Sequence, residues 1–365
     1  MRLVSNKTCG MWAALAVTSL TASMALADGS QSIAATRTIG YVTTDLHWAF
    51  YQTADVDKDC PQGLAGYGPR ETFKALYPNG GPVANTQLAR ESLKFFPNDK
   101  QMQFPYIFAK GNIGVGVNLD GKVGPNDYVS PTGEKGIDNA LQKVLGCNAQ
   151  FRQPEGQLQL FGNKFVRTST WNRTLIEISN VDDLSNSDDV AVTIYRGRDP
   201  VLLDATGEGV APGGTQRIDM RWGKPIIQHL KGKIVDGVLI TEPIKEGIYP
   251  WAIYNDVPTL LNWRDMRLKL TLTPERADGL IAGYMDVESY YTWLTAWSTH
   301  HLSYGRLDPA EFYWTLRKMA DAYPNEKGEM TAISSALTVN LVQAFITHPE
   351  ADAMEGGRKV TDARH

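Results

Sequence analysis

A strict two-residue alternation runs through the middle of this chain, and it limits the fold more than any other feature. Thr174, Ile176 and Ile178 alternate with Leu175, Glu177 and Ser179. Val190, Val192 and Ile194 alternate with Ala191, Thr193 and Tyr195, and Met266, Leu268, Leu270 and Leu272 with Arg267, Lys269, Thr271 and Thr273. A period of two puts one set of side chains on each face of an extended strand, one face buried and the other wet. Asp236-Gly237 sits between Lys233-Ile234-Val235 and Val238-Leu239-Ile240, a hairpin signature because both turn residues tolerate positive φ. Asp278-Gly279 marks a second turn after the last of these runs. Short strands joined by turns predict a mainly β fold over residues 155–285, an antiparallel β-sandwich or barrel.

The flanks read differently. Beyond Tyr284 the spacing turns helical, with Val287, Tyr290, Tyr291, Leu294 and Trp297 on one face. Asp308, Pro309 and Glu311 mark the start of a second helix. Its apolar face is Phe312, Leu316 and Met319. A third helix is expected along Ile333, Leu337, Leu341 and Phe345, making 286–349 a helical C-terminal segment and 350–365 a polar, disordered tail. Gly, Pro and Asn punctuate residues 28–154, which predicts long ordered loops with short helices over 88–96 and around Ala140, Leu141, Val144 and Leu145.

The first residues address the chain to a compartment. Arg2 and Lys7 precede an apolar run over 11–20, and small residues lead to Ala25-Leu26-Ala27. That order is a secretory signal peptide over 1–27. Thr18, Ser19, Thr21 and Ser23 interrupt the run, which falls short of the roughly 20 apolar residues of a membrane span. The expected location is periplasmic or secreted. Of three cysteines, Cys9 leaves with the leader, so Cys60 and Cys147 are expected to form one disulfide; two buried free thiols are the bland alternative. The formal charge is −4, and losing Arg2 and Lys7 makes it more negative. With no basic stripe or tail, a nucleic acid is not an expected partner.

The strongest candidate site is Asn118-Leu119-Asp120-Gly121-Lys122-Val123-Gly124-Pro125-Asn126-Asp127. Ca²⁺ takes several oxygen ligands, and a tight loop offers them from alternating side chains around a glycine. With Gly121 at that glycine, Asn118, Asp120 and Asp127 fall on ligand positions and Val123 on the apolar one, while Gly116 occupies the first position without a side-chain oxygen. A structural Ca²⁺ is the expected cofactor. Asp55, Asp57 and Asp59 offer alternate carboxylates before Cys60, and the disulfide would carry them toward Glu134, Asp138 and Asn139; a solvated acidic turn is the alternative. Asp182, Asp183, Asp188 and Asp189 flank a short polar run and read as a hairpin turn ahead of a cation loop or a carboxylate pair.

Trp222, Tyr249, Trp251, Tyr254 and Trp263 lie among the strands and loops. Exposed rings there stack on sugar faces, and buried ones fill a core; Trp222, Trp251 and Trp263 are the candidate ligand-binding residues. His47, His229 and the pair His300-His301 suggest no metal site, since neighbours in sequence point apart. The chain holds no GxSxG, HExxH, CxxCH, GxGxxG or P-loop motif.

Three phrases carry a resemblance: Asn118-Leu119-Asp120-Gly121, the run 130–139 ending Gly136-Ile137-Asp138-Asn139, and Asp278-Gly279-Leu280-Ile281-Ala282-Gly283-Tyr284. Together they resemble a family of exported bacterial proteins to which no activity is attached, so the resemblance implies export and no catalytic residue. The ten-residue loop is also similar to EF-hand-type and dockerin-type loops. The expectation is an exported, calcium-stabilised binding or structural accessory protein with a protein or carbohydrate ligand. The alternative is an extracellular polysaccharide hydrolase or lyase, which needs carboxylates, or a carboxylate with His or Tyr, converging in a cleft.

Overall fold

The computed structural model describes residues 36–65, 78–79, 106–152, 156–168, 173–222, 226–249, 260–295 and 309–349. The leader, the segment 88–96, Trp251, Tyr254, His300, His301 and the tail 350–365 lie outside the described residues.

The alternating segments close into a barrel. Strands β1 (Arg37–Trp48), β4 (Thr174–Val181), β5 (Ser187–Arg196), β7 (Gln228–Val235), β8 (Val238–Thr241), β10 (Leu261–Leu272), β11 (Arg276–Asp286) and β13 (Met330–Thr347) follow one another around the wall, each antiparallel to its neighbours. Pairing of β1 with β13, from Tyr41↔Gln343 to Trp48↔Leu337, seals it and removes both open edges of these eight strands. The mainly β, antiparallel expectation holds, in its barrel form. Leu46, Ile176, Ile178, Val192, Ile194, Leu230, Leu239, Leu268, Leu270, Ile281, Leu337 and Leu341 are all buried in one continuous core. The β7–β8 turn is the expected one, with φ of 49° at Asp236 and 78° at Gly237.

Five short strands lie off the barrel path. Strands β2 (Tyr128–Val129) and β3 (Lys135–Ile137) pair with each other, while β9 (Gly247–Tyr249) and β12 (Ala322–Pro324) extend β10 and β13. Strand β6 (Gly214–Arg217) runs parallel to β13. The helices are α1 (Val56–Asp59), α2 (Ala140–Leu145), α3 (Gln157–Thr168), α4 (Val287–Thr295) and α5 (Pro309–Met319). The helical expectations at α2, α4 and α5 hold. The buried Arg173 guanidinium donates to the carbonyls of Val166 and Arg167, so its charge sits on the C-terminal end of α3.

The expected third C-terminal helix is instead β13, the longest strand among the described residues. Ile333, Leu337, Leu341 and Phe345 recur every four residues, and four is also an even number. They therefore share a strand face as readily as a helix face. Thr331, Ile333, Thr338, Val339 and Val342 are β-branched and favour the strand. The proposed division at 155–285 also changes, because the barrel takes β1 and β13 from the two flanks.

Candidate functional site

The site begins with small residues on the barrel's outer face. Ala282 and Tyr284 on β11, with Ala332 and Ala336 on β13, form a pad against which Ala49, Val117 and Leu119 are buried. Burial of Val117 and Leu119 fixes the start of the 118–127 loop. Arg267 on β10 reinforces it, donating to the Asn118 and Leu119 carbonyls at 3.4 and 3.0 Å.

The loop closes on itself. Asn118 Oδ1 accepts from the Gly121 N–H at 2.7 Å, and its Nδ2 donates to the Lys122 carbonyl at 2.7 Å. Asp120 Oδ1 accepts from Lys122 N–H and Asp127 Oδ2 from Gly124 N–H. Gly121, at φ 77°, makes the turn that a side chain would strain. One oxygen of each expected ligand is thus spent on the loop's own backbone. Among the described residues no three His, Cys, Asp or Glu side chains stand close enough to hold a metal ion. The loop as it stands is a self-capped turn rather than a finished calcium cage.

What it does is deliver Asp120 and Asp127 to the rim of a pocket of about 490 Å³. Asp138, from the segment entering α2, and Asp321, just beyond α5, line the same pocket; Lys143 and Lys318 are exposed at its margin. Asp138 Oδ2 accepts from Leu119 N–H at 2.6 Å, tying the loop to this wall. Asn139 caps α2 and donates to the Ala49 and Val115 carbonyls. Strand register sets Tyr284 beside Ser334. Ser334 Oγ accepts from Ala140 N–H and donates to Asp321, whose other carboxylate oxygen takes the Ser334 N–H. One serine therefore joins the barrel wall to α2 and to Asp321.

Four carboxylates in one pocket repel one another. Burial, then the neighbouring charges of Asp127, Asp120 and Asp321, push Asp138 up to about 6. Asp321 is raised as well, by desolvation of its carboxyl end and by Asp127, against the hydrogen bonds from Ser334. Burial, Asp138, Asp321 and Asp120 all raise Tyr284, which stays a neutral phenol. A carboxyl raised in the folded state holds its proton where the unfolded chain has lost it. Between the ordinary value of 3.8 and about 6, the folded chain binds more protons, so stability falls as pH rises through that window. Replacing Asp138 with Asn keeps an acceptor for Leu119 N–H and removes the charge. We expect Asp138→Asn to flatten the fall in melting temperature between pH 4 and 6 and to stabilise at pH 7.5. The gain is on the order of 1 kcal/mol once solvent screening of a half-exposed group is allowed for. Parallel pH profiles for the two proteins would refute the assignment.

The remaining expected residues fall elsewhere. Cys60 and Cys147 form the disulfide, their Cα atoms 5.6 Å apart. The Asp55, Asp57 and Asp59 side chains turn to different surroundings. Asp55 caps α1 by accepting from Asp57 N–H, and Asp57 is exposed. Asp59 turns inward to the Arg152 guanidinium at 2.9 Å, with Thr53 as a further donor. Burial raises its pKa, but Arg152 and Thr53 outweigh it and hold the carboxylate below its usual range. Glu134 pairs with Lys269 instead of joining this trio.

Trp263 is 1 % exposed, in the barrel core, and cannot contact a ligand from there. Trp222 ends a 3-10 turn spanning Met220–Trp222 on the chain path before β7. Asp183 accepts from Ser185 N–H in the β4–β5 connection, the hairpin turn expected of that acidic run. Asp182, Asp188, His229 and Glu242 are exposed, and none lines the acidic pocket. Asp321, Tyr284 and Ser334 had no local signature; only strand register brings them to the 118–127 loop.

Compared with protein-family models, curated proteins and solved structures, the chain has no match. Its own geometry must therefore carry the functional reading.

Proposed function

We propose that this chain is an exported binding protein whose β-barrel holds an acidic pocket for a positively charged ligand. One observation carries this reading: Asp120, Asp127, Asp138 and Asp321, from three separate segments, line one pocket of the size that small ligands occupy. Folding gathers carboxylates only at a cost, and Asp138 is raised by burial first and by Asp127, Asp120 and Asp321 in addition. A bound cation removes that cost. The buried Cys60–Cys147 bond supports export to an oxidising compartment. Among the described residues no helix is long and apolar enough to cross a membrane.

Ca²⁺ is the inorganic ion to test; it would use the carboxylate oxygens of Asp120 and Asp127 that the loop leaves free and would have to draw Asp138 toward them, since no three acidic side chains among the described residues converge as they stand. An ion bound only by the folded state stabilises it by about 2.7 kcal/mol at a hundredfold excess over Kd. Millimolar Ca²⁺ should raise the melting temperature of the EDTA-treated protein by several degrees, and Asp120→Ala should abolish the rise. Superimposable melting curves would remove calcium from the account.

The polysaccharide hydrolase reading keeps one supporting observation. Asp138, held near 6, and more exposed carboxylates of the same pocket differ in environment, as acid and base partners must. Turnover of a polysaccharide library, abolished by Asp138→Asn, would favour it over binding.

A further inference from the structure

We infer that the ligand of the acidic pocket is a small organic cation, a molecule carrying one or more ammonium groups, rather than a bare metal ion. The inference rests on the binding reading above and names its ligand class. Charge sets the first limit: Asp120, Asp127, Asp138 and Asp321 face a pocket whose two lysines are exposed at its margin. Size and spacing set the second. A bare ion needs its oxygen ligands drawn within about 2.3–2.6 Å of a single point. Here no three acidic side chains converge, and the space is about 490 Å³. Carboxylates spread over such a volume suit ammonium groups held apart on a carbon skeleton, each donating hydrogen bonds to a different wall.

Tyr284 supplies an independent pointer to a ligand. It is 8 % exposed, its ring packs edge-on against Tyr323, and its hydroxyl has no hydrogen-bond partner among the described residues. The phenol feels the charges of Asp138, Asp321 and Asp120, all on the pocket wall, so the hydroxyl is the end that reaches the pocket. The ring is buried while the hydroxyl, which is not among the enclosed polar atoms, opens to the pocket and is free to pair with what enters it. The hydroxyl can accept from an ammonium or donate to a ligand hydroxyl. Linear polyamines offer the first chemistry, and amino sugars offer both.

Calorimetric titration of the exported protein distinguishes these sources. Spermidine and glucosamine are the amine probes, 1,4-butanediol and glucose their neutral controls, and CaCl₂ the inorganic control. At least one amine should bind ten times or more tightly than its neutral counterpart. Asp138→Asn should weaken it at least tenfold, and Tyr284→Phe severalfold with no fall in the unfolding midpoint. Asp127→Asn serves as a second charge variant should Asp138→Asn fold poorly. Equal binding of amine and neutral control would overturn the inference. If CaCl₂ alone binds, and Asp138→Asn abolishes it, the organic ligand is overturned while the pocket remains a binding site. If no probe binds, the inference and the binding reading fall together.

Discussion

Replacing Cys60 and Cys147 together by serine is expected to lower stability by about 4–5 kcal/mol, the largest effect of any change considered. The bond joins residues 87 apart in sequence, so opening it frees a long loop in the unfolded chain. Loop-closure entropy grows only with the logarithm of length, yet a loop of this size lies near the upper end of that range. The bond also has a local role. Arg152 donates to the Gly146 carbonyl and to Asp59, on either side of the disulfide, and packs within 3.6 Å of Cys60 Sγ. Loss of the bond should therefore loosen a buried ion pair and shrink the acid-dependent share of stability that the pair supplies. Asp59 is held below its usual range, so its stabilising contribution is present above the ordinary carboxylate pKa and disappears as pH falls through the folded value. Chemical denaturation of the double variant against the wild type measures the loss. A change below about 1 kcal/mol would show that the 60–147 loop is already constrained in the unfolded chain.

Trp263→Ala is expected to cost about 3–5 kcal/mol, as removal of a large aromatic from a packed core does. Trp263 is the largest fully buried side chain among the described residues and pairs across the wall with Met285. The substitution leaves a cavity between β10 and its neighbours that surrounding side chains fill only in part. Trp263→Phe should cost much less: it retains an aromatic ring and removes an indole N–H that lacks a partner among the described residues. The pair of variants separates a core role from a recognition role. A ligand-contacting tryptophan would lose binding at unchanged stability, whereas this one should lose stability first. Near-wild-type denaturation of Trp263→Ala would contradict its place in the core.

Trp263 also shows where sequence reading stops. Met266, Leu268, Leu270 and Leu272 fall on even numbers and point inward, so unbroken alternation would put Trp263 outside. Strand β10 instead carries a bulge between Arg264 and Arg267, with Asp265 at φ 51°. One extra residue reverses the phase and turns Trp263 into the core. Nothing local announces that bulge. By contrast, the Asp236-Gly237 hairpin and the inward faces of β4 and β5 were legible because turn chemistry and alternation are local properties. The disulfide was legible by counting.

The acidic pocket was half legible. Asp120 and Asp127 stood out as a loop motif, and Asp138 as part of a phrase near it. Asp321, Tyr284 and Ser334 belong to the site only because Tyr284 lies beside Ser334 in the β11–β13 register, a pairing across fifty residues of chain. The motif also misled, since Asn118 and the acidic side chains that suggested a cation cage are partly engaged in closing the turn. Spacing of four residues misled in the same way at β13, where strand and helix share a period.

The most direct test of the binding account is native mass spectrometry of the protein isolated from its native cells, compared with an Asp120→Asn, Asp138→Asn, Asp321→Asn variant prepared alongside it. The account predicts a defined adduct of positive charge on the wild type, lost from the variant while the folded charge-state distribution is unchanged. Equal adducts on both proteins would contradict it, because the ligand would then sit somewhere other than the acidic pocket.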